Sequence, residues 1–213
     1  MARLYATAAA FTTLVALAVA TALAAAPAAA APPVTMPPAK FVTTYCNDTP
    51  IRSNMTIKAG KATAPSHCDV LIADPGVTLT LDTNADLTVK GNFSLSAADN
   101  RAPDAAFVMS RAASITAGRV ILHSRLGSVA IGVNATITAT EGNVYGSSRV
   151  STSVGGGAVL TSKTGHVIVE GRGTTKVAAG ARLVAATYVE VDARGTCTVE
   201  TGVLTSAPKV YLC

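Results

Sequence analysis

Val167-Ile-Val-Glu-Gly-Arg172 recurs in outline along the chain. Val120-Ile-Leu-His-Ser-Arg125, Val144-Tyr-Gly-Ser-Ser-Arg149 and Val189-Glu-Val-Asp-Ala-Arg194 share its opening valine, its length and its closing arginine. The arginines stand 24, 23 and 22 residues apart, and Val210-Tyr-Leu-Cys213 begins a further copy. A fixed period in this range marks a stacked repeat architecture, in which each unit buries its apolar face only against its neighbours.

Two more families of short segments keep the same interval. One comprises Ser114-Ile-Thr-Ala117, Thr136-Ile-Thr-Ala139, Val159-Leu-Thr-Ser162, Arg182-Leu-Val-Ala185 and Val203-Leu-Thr-Ser206. The other carries Val129, Val154, Val177 and Val199, each followed three residues later by Gly132, Gly157, Gly180 and Gly202. Alternation of period two runs through all three families, and no helical stripe appears after Phe41, so the reading is all-β. Three short strands per period of about 22 residues predict a single-domain, three-sided parallel β-helix of about five to six rungs. Repeated glycines suit corners that need positive φ or close backbone approach. Small residues at Ser124, Ser148, Gly171 and Ala193 mark a second corner. Upstream, Val77–Leu81, Leu87–Val89, Phe93–Leu95 and Ala106–Met109 add rungs whose phase is hidden by an insertion between Ala97 and Ala105. An antiparallel sandwich has turns at similar spacing but no reason to hold identical positions in register over five copies.

In these rungs, from about Val70 to Cys213, the chain resembles the right-handed parallel β-helix superfamily of secreted and surface repeat proteins. That resemblance implies architecture and little about activity, since adhesins, polysaccharide-active enzymes, ice-binding proteins and scaffolds all use such a fold.

Residues 1–31 read as a secretory leader, with Arg3, an apolar run from Phe11 and small residues before a cut between Ala25 and Ala31. Residues 32–40 are a Pro-rich tether, 41–69 an irregular N-terminal cap and 70–213 the β-helix. No other stretch is long and apolar enough to span a bilayer. The balance of 17 Lys and Arg against 12 Asp and Glu is mildly basic, and loss of the leader removes only Arg3. That excess permits anionic partners without demanding them. The four cysteines allow three pairings. Spacing favours Cys46–Cys68 and Cys197–Cys213, one staple at each end of the domain. Residues one turn apart would lie about 4.8 Å from each other, within reach of a disulfide. The intervals match no common zinc pattern, and no cofactor motif is present.

If Val120, Leu122 and Ser124 face inward, the alternate positions form outward columns. The first is Arg125, Arg149, Arg172, Arg194, and the second His123, Ser147, Glu170, Asp192. Stacked guanidinium groups repel, and Glu170 and Asp192 are placed to compensate. Arginine pairs bidentately with planar carboxylates or sulfates, so these seven charged or titratable residues are the candidate binding site, with an anionic polysaccharide or a surface or self-assembly partner. The expectation is a secreted, non-catalytic structural or adhesive module, outside the cell or on a cell or particle surface. Two alternatives use the same residue types. A polysaccharide lyase or glycoside hydrolase would draw on His123, Glu170, Asp192 and Arg172, although short corners predict no groove. An ice-binding protein would use Thr116, Thr138, Thr161 and Thr205. Asn54, Asn92 and Asn134 begin glycosylation triplets. The absence of tryptophan and of any nucleic-acid module argues against single-stranded nucleic acid as a partner.

Overall fold

A computed structural model describes residues 32–97, 104–125 and 127–213. The expected leader and the centre of the insertion after Ala97 lie outside the described residues. The chain winds into a parallel β-solenoid of about seven turns with three sheets. Sheet I has eight strands, from Val34–Met36 to Thr196–Val199; sheet II has seven, from Gly60–Ala64 to Leu204–Ser206. Sheet III has eight, from Asn47–Ile51 to Lys209–Leu212, and it carries every arginine-ended segment.

Most strands alternate buried and half-exposed residues, so like positions stack into interior columns; the last strand, Lys209–Leu212, is exposed throughout. Leu87, Ile115, Ile137, Leu160 and Leu183 form one, in unbroken register through sheet II. Phe93, Val120, Val144, Val167 and Val189 form another in sheet III. Burial of each such side chain stabilises by about 1.5–3 kcal/mol. An inward charge in either column would leave an unpaired ion with no route to water.

The turn count exceeds the five to six expected, because the solenoid starts well before Val70. Asn47–Ile51, Met55–Ile57, Gly60–Ala64 and Cys68–Ile72 are sheet members where an irregular cap was anticipated. Short polar strands such as Gly60-Lys-Ala-Thr-Ala64 alternate too weakly to declare themselves. Val34–Met36, in the supposed tether, pairs in parallel with Met55–Ile57. A helix, Pro38–Tyr45, then buries Phe41 and Val42 and packs on the first strands of sheets II and III. Pro38 fits the first turn, where its missing N–H costs nothing. The helix covers an end whose strand edges would otherwise invite pairing. Eight residues are too few to show a helical stripe.

Two other registers differ from the expected ones. The left-handed corner column is Asn84, Ala112, Asn134, Gly157, Gly180 and Gly202. Gly132 is not a member; asparagine, which tolerates this region, takes the place two residues later. Gly132 is required by close approach instead, since a Cβ there would meet the Met109 carbonyl at 2.4 Å. At the last turn Leu204, not Val203, pairs with Arg182. The Leu-Thr-Ser motif suggested the other alignment, but the corner glycines set the count: Gly202 precedes Leu204 as Gly180 precedes Arg182. A one-residue slip exchanges faces, so Leu204 is 57% exposed and Thr205 stacks on the inward Leu183.

Both disulfides form as paired in the sequence reading. Cys46 and Cys68 lie on successive turns with Cα atoms 4.1 Å apart, both buried. Cys197 extends the inward column Val129, Thr152, Thr175. At that corner Thr152 Oγ1 donates to the Glu170 carbonyl at 2.5 Å, and Thr175 Oγ1 to the Asp192 carbonyl at 2.6 Å. Cys213 follows Leu212, which pairs with Val191, and so occupies the same level above Asp192. The terminal crosslink therefore stands where earlier turns make a hydrogen bond. Two disulfides fit an oxidising compartment.

Candidate functional site

The outward columns of sheet III stack as the repeat spacing predicted. His123, Ser147, Glu170 and Asp192 are successive register partners. The arginines sit at the corner immediately after each strand, all four exposed. Backbone bonds carry the stacking through it: Arg172 N donates to the Ser148 carbonyl at 2.9 Å, and Gly173 N to the Arg149 carbonyl at 3.0 Å.

Contrary to the expectation of no groove, this face is concave, with a volume of about 650 Å³. His123, Tyr145, Ser147 and Glu170 line it, bordered by Arg125, Arg149 and Arg172 and completed by Leu71, Ser96 and Ala97 from lower turns. Tyr145-Gly-Ser-Ser148 explains the hollow. Three small residues occupy the middle turn, between the bulkier His123 below and Glu170 above. That run of small residues is the available signal in the sequence, where Ser148 marks a corner and Ser147 an outward position. Asp192 and Arg194, one turn further, lie outside the concavity.

Two polar contacts cross the floor. The His123 Nδ1 and Ser147 Oγ atoms are 2.6 Å apart. Beside that contact the Tyr145 O–H donates to Glu170 Oε2 at 3.0 Å. Burial, reinforced by the Arg125 charge and outweighing the opposing pull of Glu170, holds the His123 pKa below its usual value. Burial likewise raises that of Tyr145. Glu170 is thus engaged by a phenol rather than by arginine. Among the described residues, no carboxylate lies within ion-pair distance of Arg149, Arg172 or Arg194; the ion pairs Arg52–Asp74, Lys61–Asp86 and Lys176–Glu200 are elsewhere. The compensation expected from Glu170 and Asp192 takes no direct form.

Sheet II carries a second regular feature. Thr63, Thr88, Thr116, Thr138 and Thr161 are vertical neighbours on five successive turns. Val184 interrupts the column and Ser206, not Thr205, follows it. The adjacent outward column, Lys61, Asp86, Ser114, Thr136, Val159, Arg182, is chemically mixed. Of the glycosylation triplets, Asn54 accepts a hydrogen bond from Thr78 N at 2.9 Å, Asn92 is half-buried and Asn134 is exposed at the left-handed corner.

No family model, curated protein or solved structure matches this chain. What it does must be argued from its own geometry. No helix among the described residues is long and apolar enough to cross a membrane.

Proposed function

We propose that the protein is a secreted, rigid β-solenoid module that binds an acidic glycan along the arginine column of sheet III. The observation carrying this reading is the pair Arg149 and Arg172. They stand on consecutive turns beside a concave face, and no described carboxylate neutralises either. Turns repeat every 4.7–4.9 Å or so, comparable with one sugar ring, so a uronate or sulfated chain lying across the strands meets one guanidinium per residue. Planar anionic groups are the ligands that arginine pairs with bidentately. Two terminal disulfides and continuous columns suit a module that must hold this spacing outside the cell. A glycan array probed at low and high salt, with Arg149→Ala and Arg172→Ala beside the wild type, tests the reading. Salt-sensitive binding to acidic glycans, weakened in both variants, supports it; equal binding by all three refutes it.

The five-threonine column of sheet II favours a second reading, ordering of water at an ice surface. Only one regular row supports it, and a thermal hysteresis assay without activity disposes of it. Hydrolysis by a carboxylate pair draws less support: two carboxyls must flank the scissile bond, and of Glu170 and Asp192 only Glu170 lines the concave face.

A further inference from the structure

We infer that the last turn of the solenoid is a twofold dimer interface, on which a second copy of this chain pairs its own last turn antiparallel to the first. The inference stands apart from the glycan reading and uses other residues.

The two ends of the solenoid differ. The helix Pro38–Tyr45 covers the first strands. Among the described residues nothing stacks on the last turn, formed by Thr196–Val199, Leu204–Ser206 and Lys209–Leu212. Its inward residues are therefore uncovered. Val210 and Leu212 continue the buried columns of Val189 and Val191, yet both are exposed, and Cys197 and Val199 are only half-buried. Of the seven exposed large hydrophobics among the described residues, Leu204, Val210, Tyr211 and Leu212 lie in this turn. Apolar surface is thus concentrated where strand edges are also open to pairing.

Backbone direction restricts what can bind there. Successive N–H and C=O groups along a strand point alternately to the neighbours on its two sides. Thr196 N, Glu200 N, Leu204 N and Cys213 N donate to carbonyls of the turn below. The alternate residues Cys197, Val199, Thr205, Val210 and Leu212 direct both groups out of the end, and these are also the inward-facing ones. A matching partner presents three such edges closed around an apolar centre, as a second copy does. Since the helix covers the opposite end, the copies meet tail to tail, and their strands run antiparallel.

The screw of the coil sets the register. Each turn rises by one strand spacing, so the end is a step, lowest at Thr196 and highest at Cys213. Two such steps close flush about a twofold axis through Leu204–Ser206, with Thr205 opposite the second copy's Thr205. Thr196–Val199 then lies against Lys209–Leu212 of the second copy. Val199 opposes its Val210 and Cys197 its Leu212, which covers the uncovered residues and joins backbone groups that point outward from both ends. Five such pairs exchange about ten backbone hydrogen bonds. The same register places Glu200 opposite the second copy's Lys209, twice over by symmetry. Glu200 is oriented by Lys176 and by Ala179 N, and its carboxylate keeps further acceptor sites. Lys209 has no ion pair among the described residues. Such an interface closes at two copies and does not propagate into fibres.

Sedimentation equilibrium of the full chain tests this, for the wild type, Lys209→Glu, Glu200→Lys and an equimolar mixture of the two variants, with circular dichroism confirming that both variants fold. The inference expects a wild-type dimer forming between about 1 and 100 μM. Either variant alone sets like charges opposite each other twice and should weaken the dimer by about tenfold or more. The mixture should recover it, because one copy of each variant restores two opposite-charge pairs. Wild-type monomer throughout overturns the inference and leaves the end to a strand of another protein. Assemblies that keep growing overturn the closed twofold. Folded variants that dimerise like the wild type, or a mixture no better than its parts, overturn the register.

Discussion

Replacing Arg149 or Arg172 with glutamine should stabilise the fold while weakening its binding. Each guanidinium has a like charge one turn above and one below, because the four arginines occupy consecutive turns. At a spacing near 4.8 Å, each neighbouring pair costs about 0.9 kcal/mol in water and about 3.5 kcal/mol at an effective dielectric of 20. All four are exposed, so the lower figure applies, and splayed side chains reduce it further. Either single substitution relieves two neighbour contacts, up to about 2 kcal/mol. The double variant relieves three contacts rather than four, so the two effects fall short of additivity by about 1 kcal/mol. Urea unfolding of the four proteins at low salt measures this directly. Repeating it well above 0.1 M, where the screening length drops below about 10 Å, should erase most of the gain. Additive destabilisation of similar size at both salts would refute the reasoning: it would mean that these side chains are partnered and serve the fold.

Three further outcomes follow from the same geometry. The paired substitution Cys197→Ser with Cys213→Ser should cost about 3 kcal/mol by the loop-entropy estimate for a sixteen-residue separation, and hydrogen exchange should rise first in the last turn. Gly171→Ala should cost about 1–3 kcal/mol, because a Cβ there meets the Thr174 carbonyl at 2.4 Å and Thr175 Oγ1 at 2.7 Å; an unchanged melting temperature contradicts that close corner. His123 has a folded pKa below its unfolded value of 6.5, so the unfolded chain binds the extra proton as pH falls through that value. Stability should therefore decline below about pH 6.5 on this account, and His123→Gln should flatten that part of the profile measured by denaturant melts.

The fold was legible because its evidence is periodic. Arg172 above Arg149, and Glu170 above Ser147, follow from counting residues once each turn is known to stack on the last. The same counting failed wherever the period was disguised. Val34–Met36 and Gly60–Ala64 are too short or too polar to alternate visibly, and the Pro38–Tyr45 helix is too short to show its stripe. Leu204 was misplaced because a similar motif outvoted the corner glycine that sets the register. The candidate site divides in the same way. Its columns were readable; its concavity and the Tyr145–Glu170 hydrogen bond were not, since they depend on how the Tyr145 phenol crosses a turn to reach Glu170. Repetition determines which residues are neighbours, whereas the reach of a long side chain over a small one is decided by local packing.

Calorimetric titration with acidic oligosaccharides of increasing length is the most direct test of the arginine track. Affinity should climb with each added acidic sugar until the chain matches the four stacked arginines, then level off, and the Arg149→Gln, Arg172→Gln double variant should lose the length dependence. Affinity that is independent of length, or equal in wild type and double variant, would contradict it.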